Sequence, residues 1–141
     1  MCEALDQLKL QFDKDEGQLT IDIGIQGEDI PMDITIRVNA DRETIALVSH
    51  LPFVIPEDKR IDVAIATCAV NNALHDGSFD YDFMEGHLFF RMNSSFVDSE
   101  IGKDLFMYML AVSGKIIDDF NDKFLMLAKG LIGVESFISS I

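Results

Sequence analysis

The sequence predicts an α+β fold: an antiparallel sheet of five or six strands with helices packed on one face, in the order β-β-β-α-β-β-α. Three observations predict it. Apolar residues alternate with polar ones at period two through the early part of the chain, from Leu19 to Leu51. The spacing changes to three and four residues from Glu57 onward. Two more period-two stretches follow, and then a long final run of helical spacing. Strands and helices come in blocks, which points to α+β with an antiparallel sheet.

Leu19, Ile21, Ile23 and Ile25 alternate with Thr20, Asp22, Gly24 and Gln26; Ile30, Met32, Ile34, Ile36 and Val38 do the same with their polar neighbours. These are two half-buried strands, each with one wet face. Gly27-Glu28-Asp29 between them supplies turn chemistry, so they should pair as an antiparallel hairpin. Leu8, Leu10 and Phe12 also alternate ahead of the Lys14-Asp15-Glu16-Gly17 turn, an edge-strand pattern. Glu3 to Leu8 reads equally well as a short helix. Thr44 to Leu51 is a further strand, but Ala46 and Val48 stand opposite Ile45 and Leu47. A strand apolar on both faces is expected at an interior position or under a partner. Pro52 and Pro56 should end it.

From Glu57, an apolar stripe of Ile61, Ile65, Cys68 and Ala69 leads to Asn72 and His75, widened by Ala64, Ala66 and Val70. An alanine-rich helix of this kind is slim and can lie close to a sheet. It should stop near Asp76-Gly77, where glycine supplies the left-handed cap. Phe79, Tyr81 and Phe83, then Leu88, Phe90, Met92 and Phe96, form a second hairpin about the Glu85-Gly86 turn. Ser99 is a candidate N-cap for the last helix, with Glu100 in its first turn. Ile101, Leu105, Met109, Val112, Ile116, Phe120, Phe124 and Leu127 step along it by three or four. Gly114 inside the run costs about 1 kcal/mol relative to Ala and marks either a kink or a division into two helices. Leu131 to Ile141 reads as an apolar tail with a final helical turn docking on the core.

The chain has 141 residues, 48% of them hydrophobic, which suits a single domain spanning 1–141. At this size roughly 68% of the unfolded surface can be buried, so no disulfide or metal staple is needed. There are 25 acidic and 11 basic residues, a net charge of −14. That charge repels phosphate backbones and anionic membrane surfaces, so neither nucleic acid nor membrane is an expected partner. No apolar run reaches the roughly 18–20 residues that span a bilayer. The first residues lack the basic and apolar regions of a secretory signal. Cys2 and Cys68 lie far apart, and Cys68 reads as a small core residue. A reducing cytoplasm is the expected compartment.

No pattern that carries chemistry is complete in this sequence. Asp13-Lys14-Asp15-Glu16-Gly17 has its glycine one place early for a calcium loop, and the twelfth position, Gly24, offers no carboxylate. It reads as a solvated turn. His75-Asp76 lacks the further ligands of a metal-dependent hydrolase, since His50 and His87 lie on or beside strands. A histidine at a helix C-terminus is favoured by the dipole in any case. No phosphate loop and no serine elbow occurs. Cys68 has no nearby basic residue to activate it. Asp80 and Asp82 share a strand face turned to solvent, and Asp118, Asp119 and Asp122 fit the wet face of a helix. No catalytic residue, cofactor or metal is therefore expected. Met84, Met92, Met107, Met109 and Met126 suit either core gaps or an adaptable binding surface.

One segment carries a family resemblance. Asn71-Asn72-Ala73-Leu74-His75-Asp76-Gly77-Ser78-Phe79-Asp80-Tyr81-Asp82 is a helix ending in Asn, then Gly-x-Phe, then an acidic strand. A turn and an aromatic strand with Arg91 follow, and Leu51-Pro52 leads into the helix. This resembles the YbjN family of bacterial proteins over roughly residues 17–128. That family is similar in fold to the class I chaperones of type III secretion, built as a helix, three strands, a helix, two strands and a helix. The one departure is the leading helix, short or absent here. The resemblance implies a regulatory or chaperone-like binding role and no catalytic residue to carry over.

The expected function is thus non-enzymatic binding of another protein or peptide, with a homodimer as one arrangement. Ala46, Val48 and Phe89, apolar on the second face of the sheet, are the candidate partner-binding residues. The alternatives are a small enzyme with a dispersed acidic site and an acidic mimic of nucleic acid. The first would need a closed pocket with a buried carboxylate; the second, carboxylates set in a stripe.

Overall fold

The computed structural model describes all 141 residues. A short helix α1 (Cys2–Gln7) leads into strands β1 (Phe12–Asp15), β2 (Thr20–Ile25), β3 (Met32–Asn39) and β4 (Thr44–Val54). A 3₁₀ turn at Glu57–Lys59 then opens helix α2 (Arg60–Ala73). Strands β5 (Ser78–Asp82) and β6 (His87–Ser95) follow, then a long helix α3 (Lys103–Ala128) and a short α4 (Val134–Ile138). The six strands form one antiparallel sheet in the order β1-β2-β3-β4-β6-β5. Both readings of the N-terminus therefore hold in part: Cys2–Gln7 is helix, and the edge strand begins only at Phe12.

The alternation of isoleucines decides which face is covered. Cross-strand register places Ile21, Ile36, Leu47 and Met92 in one row, and Ile23, Ile34, Ser49, Phe90 and Phe79 in the next. All are buried, and all but Ser49 belong with Leu5 of α1 and Phe106, Ile117 and Phe124 of α3 to one apolar cluster running from Ala4 to Phe137. Aromatic rings knit the far end. Phe79 lies 5.2 Å from Phe124 and 5.3 Å from Phe90, centre to centre, and Phe124 lies 4.9 Å from Phe137. These separations are typical of favourable ring pairs. Phe137 makes the docked turn expected of the C-terminal tail.

Several local expectations are corrected. Strand β4 does not stop at Pro52 but runs to Val54, with its register against β6 shifting between His50 and Val54. A proline is tolerated where the ladder is already interrupted. Helix α2 is turned about its axis relative to the expected stripe: Val63, Ala66, Thr67 and Val70 are buried, while Ile61 and Ile65 are 67% and 46% exposed. Cys68, expected in the core, is exposed. Both sides of α2 are apolar, and the slimmer side wins because it lets the helix approach β5, α3 and α4. The helix also ends at Ala73, before Asp76-Gly77. Gly77 instead makes the turn into β5 at φ +69, where any side chain would run into the Phe90 ring.

Helix α3 starts at Lys103 with Gly102 as its cap, because Ser99 is spent in a turn closed on the Phe96 carbonyl. It passes through Gly114 as one helix of 26 residues. Its buried side includes Phe106, Leu110 and Ile117, next to the expected Leu105 and Ile116. The β2–β3 turn is latched to this helix. The Glu28 backbone N–H donates to the Asp118 carboxylate at 2.9 Å, and a Cβ on Gly27 would collide with that carboxylate and with the Ile30 carbonyl.

Candidate binding face

The sheet positions that alternate with the core form its second face. Register places Asp13, Asp22, Thr35, Val48, Arg91 and Ser78 in one row across all six strands. A neighbouring row holds His50, Phe89 and Asp80, and the row on the other side holds Thr20, Arg37, Ala46 and Asn93. No helix residue belongs to these rows, and the side chains there are half-buried or exposed. The three sequence-derived candidates, Ala46, Val48 and Phe89, are thus brought together on adjacent central strands, each half-buried.

The face divides in two. At the β4–β6–β5 end the His50 and Phe89 rings meet at a tilt of 35° with centres 5.0 Å apart, and Arg91 pairs with Asp80 at 2.7 Å. That pair keeps a cation and an anion together beside the apolar strip. At the β1–β2–β3 end Asp13 lies directly opposite Asp22, and Asp33 lies opposite Gly24. The Thr35 hydroxyl donates to Asp22 at 2.6 Å. These side chains border a shallow hollow of about 520 Å³, lined by Asp13, Asp22, Gly24, Asp33 and Thr35 among others. Sequence alternation marked Asp22 and Asp33 as wet, but only strand register brings them beside Asp13.

Both sheet edges are protected. Asn71 of α2 grips the outer edge of β5: its amide N–H donates to the Phe79 carbonyl at 2.9 Å, and its oxygen accepts the Phe79 N–H at 2.8 Å. The opposite edge, β1, has four residues, three of them charged. Short, charged edges discourage strand addition.

The remaining chemistry-bearing residues do not converge. Asp15 accepts the Gly17 and Gln18 amides, so the acidic loop is a self-bonded turn. Asp82 does the same for Met84 and Glu85. His75 is exposed beyond the end of α2. Asp119 pairs with Lys115 at 2.8 Å, which holds the lysine above its ordinary pKa through that hydrogen bond and charge. Asp76 accepts the Tyr108 hydroxyl at 2.7 Å and raises that phenol's pKa. No three His, Cys, Asp or Glu side chains are grouped to hold a metal ion, and no helix is long and apolar enough to cross a membrane. Met92 and Met109 fill the core, while Met84 and Met126 are exposed.

The α+β fold is shared with solved structures. The crystal structure of YbjN from E. coli, described as "a putative transcription regulator", superposes with a TM-score of 0.60 at 14% identity, covering 83% of this chain and 82% of that one. The crystal structure of the ExsC–ExsE complex gives 0.58 at 14% identity, covering 84% and 87%. At such identity the likeness is one of fold, and it bears out the chaperone-like α+β arrangement. The family model of YbjN, "Putative bacterial sensory transduction regulator", matches residues 1–126, and the chain belongs to that family. No curated protein matches it.

Proposed function

We propose that the chain is a non-enzymatic, chaperone-like or regulatory module, one domain over 1–141, that binds another protein or peptide on its open sheet face. The observation that carries this reading is Ala46, Val48 and Phe89 lying half-buried together on a face no helix covers. Apolar side chains at the centre of a polar-rimmed face are the ordinary anatomy of an interface. The ExsC fold neighbour is a protein crystallised in complex with another, ExsE, which supports the same use of this architecture. The work is assigned to the cytoplasm, where the free thiols of Cys2 and Cys68 stay reduced.

The test is co-purification from a bacterial cytoplasm with wild type and with Val48→Asp/Phe89→Ser. A protein retained by wild type and lost by the double variant, at unchanged circular dichroism, is the expected result. Equal retention by both would overturn this face as the site.

A homodimer is favoured by a separate observation. Ile61, Ile65 and Cys68 form an exposed apolar stripe on α2, and the segment from Val63 to Leu74 carries no charge. In a chain of net charge −14, such a stripe is where two copies can meet without repulsion. Light scattering should give twice 15.8 kDa, falling to one copy for Ile61→Asp/Ile65→Asp. A monomeric wild type would remove this arrangement.

A further inference from the structure

Resting on that reading of the open face, we infer that its partner is a basic amphipathic helix, with lysine or arginine seated over Asp13, Asp22 and Asp33 and an apolar side chain seated on Val48 and Phe89. The charge pattern carries the first half. Asp13 and Asp22 oppose each other across the β1–β2 ladder, and like charges so placed cost stability. None of the three aspartates has a lysine or arginine partner. The ion pairs of the molecule are Lys14–Glu16, Lys59–Asp62, Arg91–Asp80 and Lys115–Asp119. On the open face Arg91 is therefore spent on Asp80, and Arg37 stands one row away beside Ala46. The hollow of about 520 Å³ at Gly24, which has no side chain to fill it, leaves space for a cationic head group. An incoming cation relieves the repulsion between the aspartates.

The edges argue for a helix. An added strand needs unpaired backbone groups along an edge. At β5 those of Phe79 are taken by Asn71, and β1 is short and charged. A helix satisfies its own backbone and needs only side-chain contact, as α3 shows on the covered face. Spacing follows from the row. Asp22 and Val48 are separated by two strand spacings, roughly 10 Å at about 4.8 Å each. Seven residues of α-helix rise about 10.5 Å and return to the same face. The partner is thus expected to carry a basic residue and an apolar residue at i and i+7.

The experiment uses the full chain and two labelled helical peptides, read by fluorescence anisotropy. One carries Lys and Leu at i and i+7; the other has each Lys replaced by Glu. The lysine peptide should bind, more weakly as salt rises, and the glutamate peptide should not. Asp22→Asn/Asp33→Asn should weaken the lysine peptide about three- to tenfold, the range two exposed ion pairs supply. Asp41→Asn/Asp98→Asn removes the same charge from turns outside the face and should change affinity less than about twofold. Equal weakening by the two double variants would reduce the effect to net charge and overturn the inference. So would failure of the lysine peptide to bind. Loss of a co-purified protein in Val48→Asp/Phe89→Ser alongside either of those results would leave the open face as a binding site with a partner of other chemistry. Retention of that protein would remove both readings.

Discussion

Phe89 and Phe90 are neighbours on one strand and face opposite ways. Phe90 is fully buried at 0% exposure, against the edge of Phe79. Phe89 is half-buried on the open face, beside His50 and opposite Asp80. The two positions have the same side chain and the same backbone and differ only in what covers them. One side of the sheet is closed by α3 and its neighbours; the other is left apolar at its centre without a cover. The difference predicts that the open face contributes far less than the covered face to holding the sheet together. The largest expected effect follows directly. Phe90→Ala should lower unfolding stability by about 3–5 kcal/mol, and Phe89→Ala by about 1 kcal/mol, the scale of a ring pair beyond its area. Urea midpoints of the two variants check this, and comparable losses would mean that the open face is structural.

The next effect concerns what joins the covering helix to the sheet. Asn71 satisfies both backbone groups of Phe79 from α2. Asn71→Ala should cost about 1–3 kcal/mol, the penalty of leaving backbone groups unpaired near the core. It should also expose the β5 edge, so concentration-dependent association should rise in light scattering. An unchanged midpoint and a strictly constant mass would show the clamp to be incidental.

Much of this is legible in the sequence, and what is not has a common cause. Ile21 and Ile23, with Ile34 and Ile36, show the covered face because period two leaves one choice of side. Ala46 and Val48 break that alternation in β4, which is why a second apolar face could be read from the sequence. Helix α2 could not be oriented, because Ile61, Ile65 and Cys68 are as apolar as Val63, Ala66 and Val70; the choice is made by tertiary fit against β5, α3 and α4. The acidic corner was equally hidden. Asp13, Asp22 and Asp33 come from three strands, and their meeting depends on a register that no single stretch of sequence encodes. The Asn71 clamp lay inside the segment resembling the YbjN family, but its partner, the Phe79 backbone, has no side-chain signature.

A smaller effect probes a buried polar intrusion into the covered rows. Ser49 is 1% exposed between Ile34 and Phe90, and its hydroxyl has no hydrogen-bond partner. Burying an unpaired hydroxyl costs free energy that an apolar side chain avoids. Ser49→Ala should therefore raise stability by about 1 kcal/mol, whereas the same kind of change on the open face, Thr35→Ala, removes the hydroxyl that donates to Asp22 and should lower it slightly. The opposite signs, read as shifts in urea midpoint, sharpen the contrast between the faces. A loss on Ser49→Ala would mean that the hydroxyl is satisfied in solution.

The smallest effect uses the two tyrosines as reporters of the helix layer. Tyr81 is partly buried on the covered side, and desolvation is the main cause raising its pKa above the ordinary 10.0. Tyr108 is exposed on α3, and its pKa is raised by the hydrogen bond it donates to Asp76. A phenol that holds its proton more tightly when folded supports the fold fully below the unfolded value near pH 10. That support is lost as pH climbs through the raised folded value. Stability should therefore decline at strongly alkaline pH, with tyrosinate absorbance rising later than for free tyrosine. Asp76→Ala removes both the acceptor and the charge that hold the Tyr108 proton and should bring that tyrosine back toward 10. Tyr81 should titrate unchanged, because its shift comes mainly from burial rather than from that carboxylate. A variant in which both absorbance steps moved together would mean that one common environment, rather than two separate causes, governs the layer.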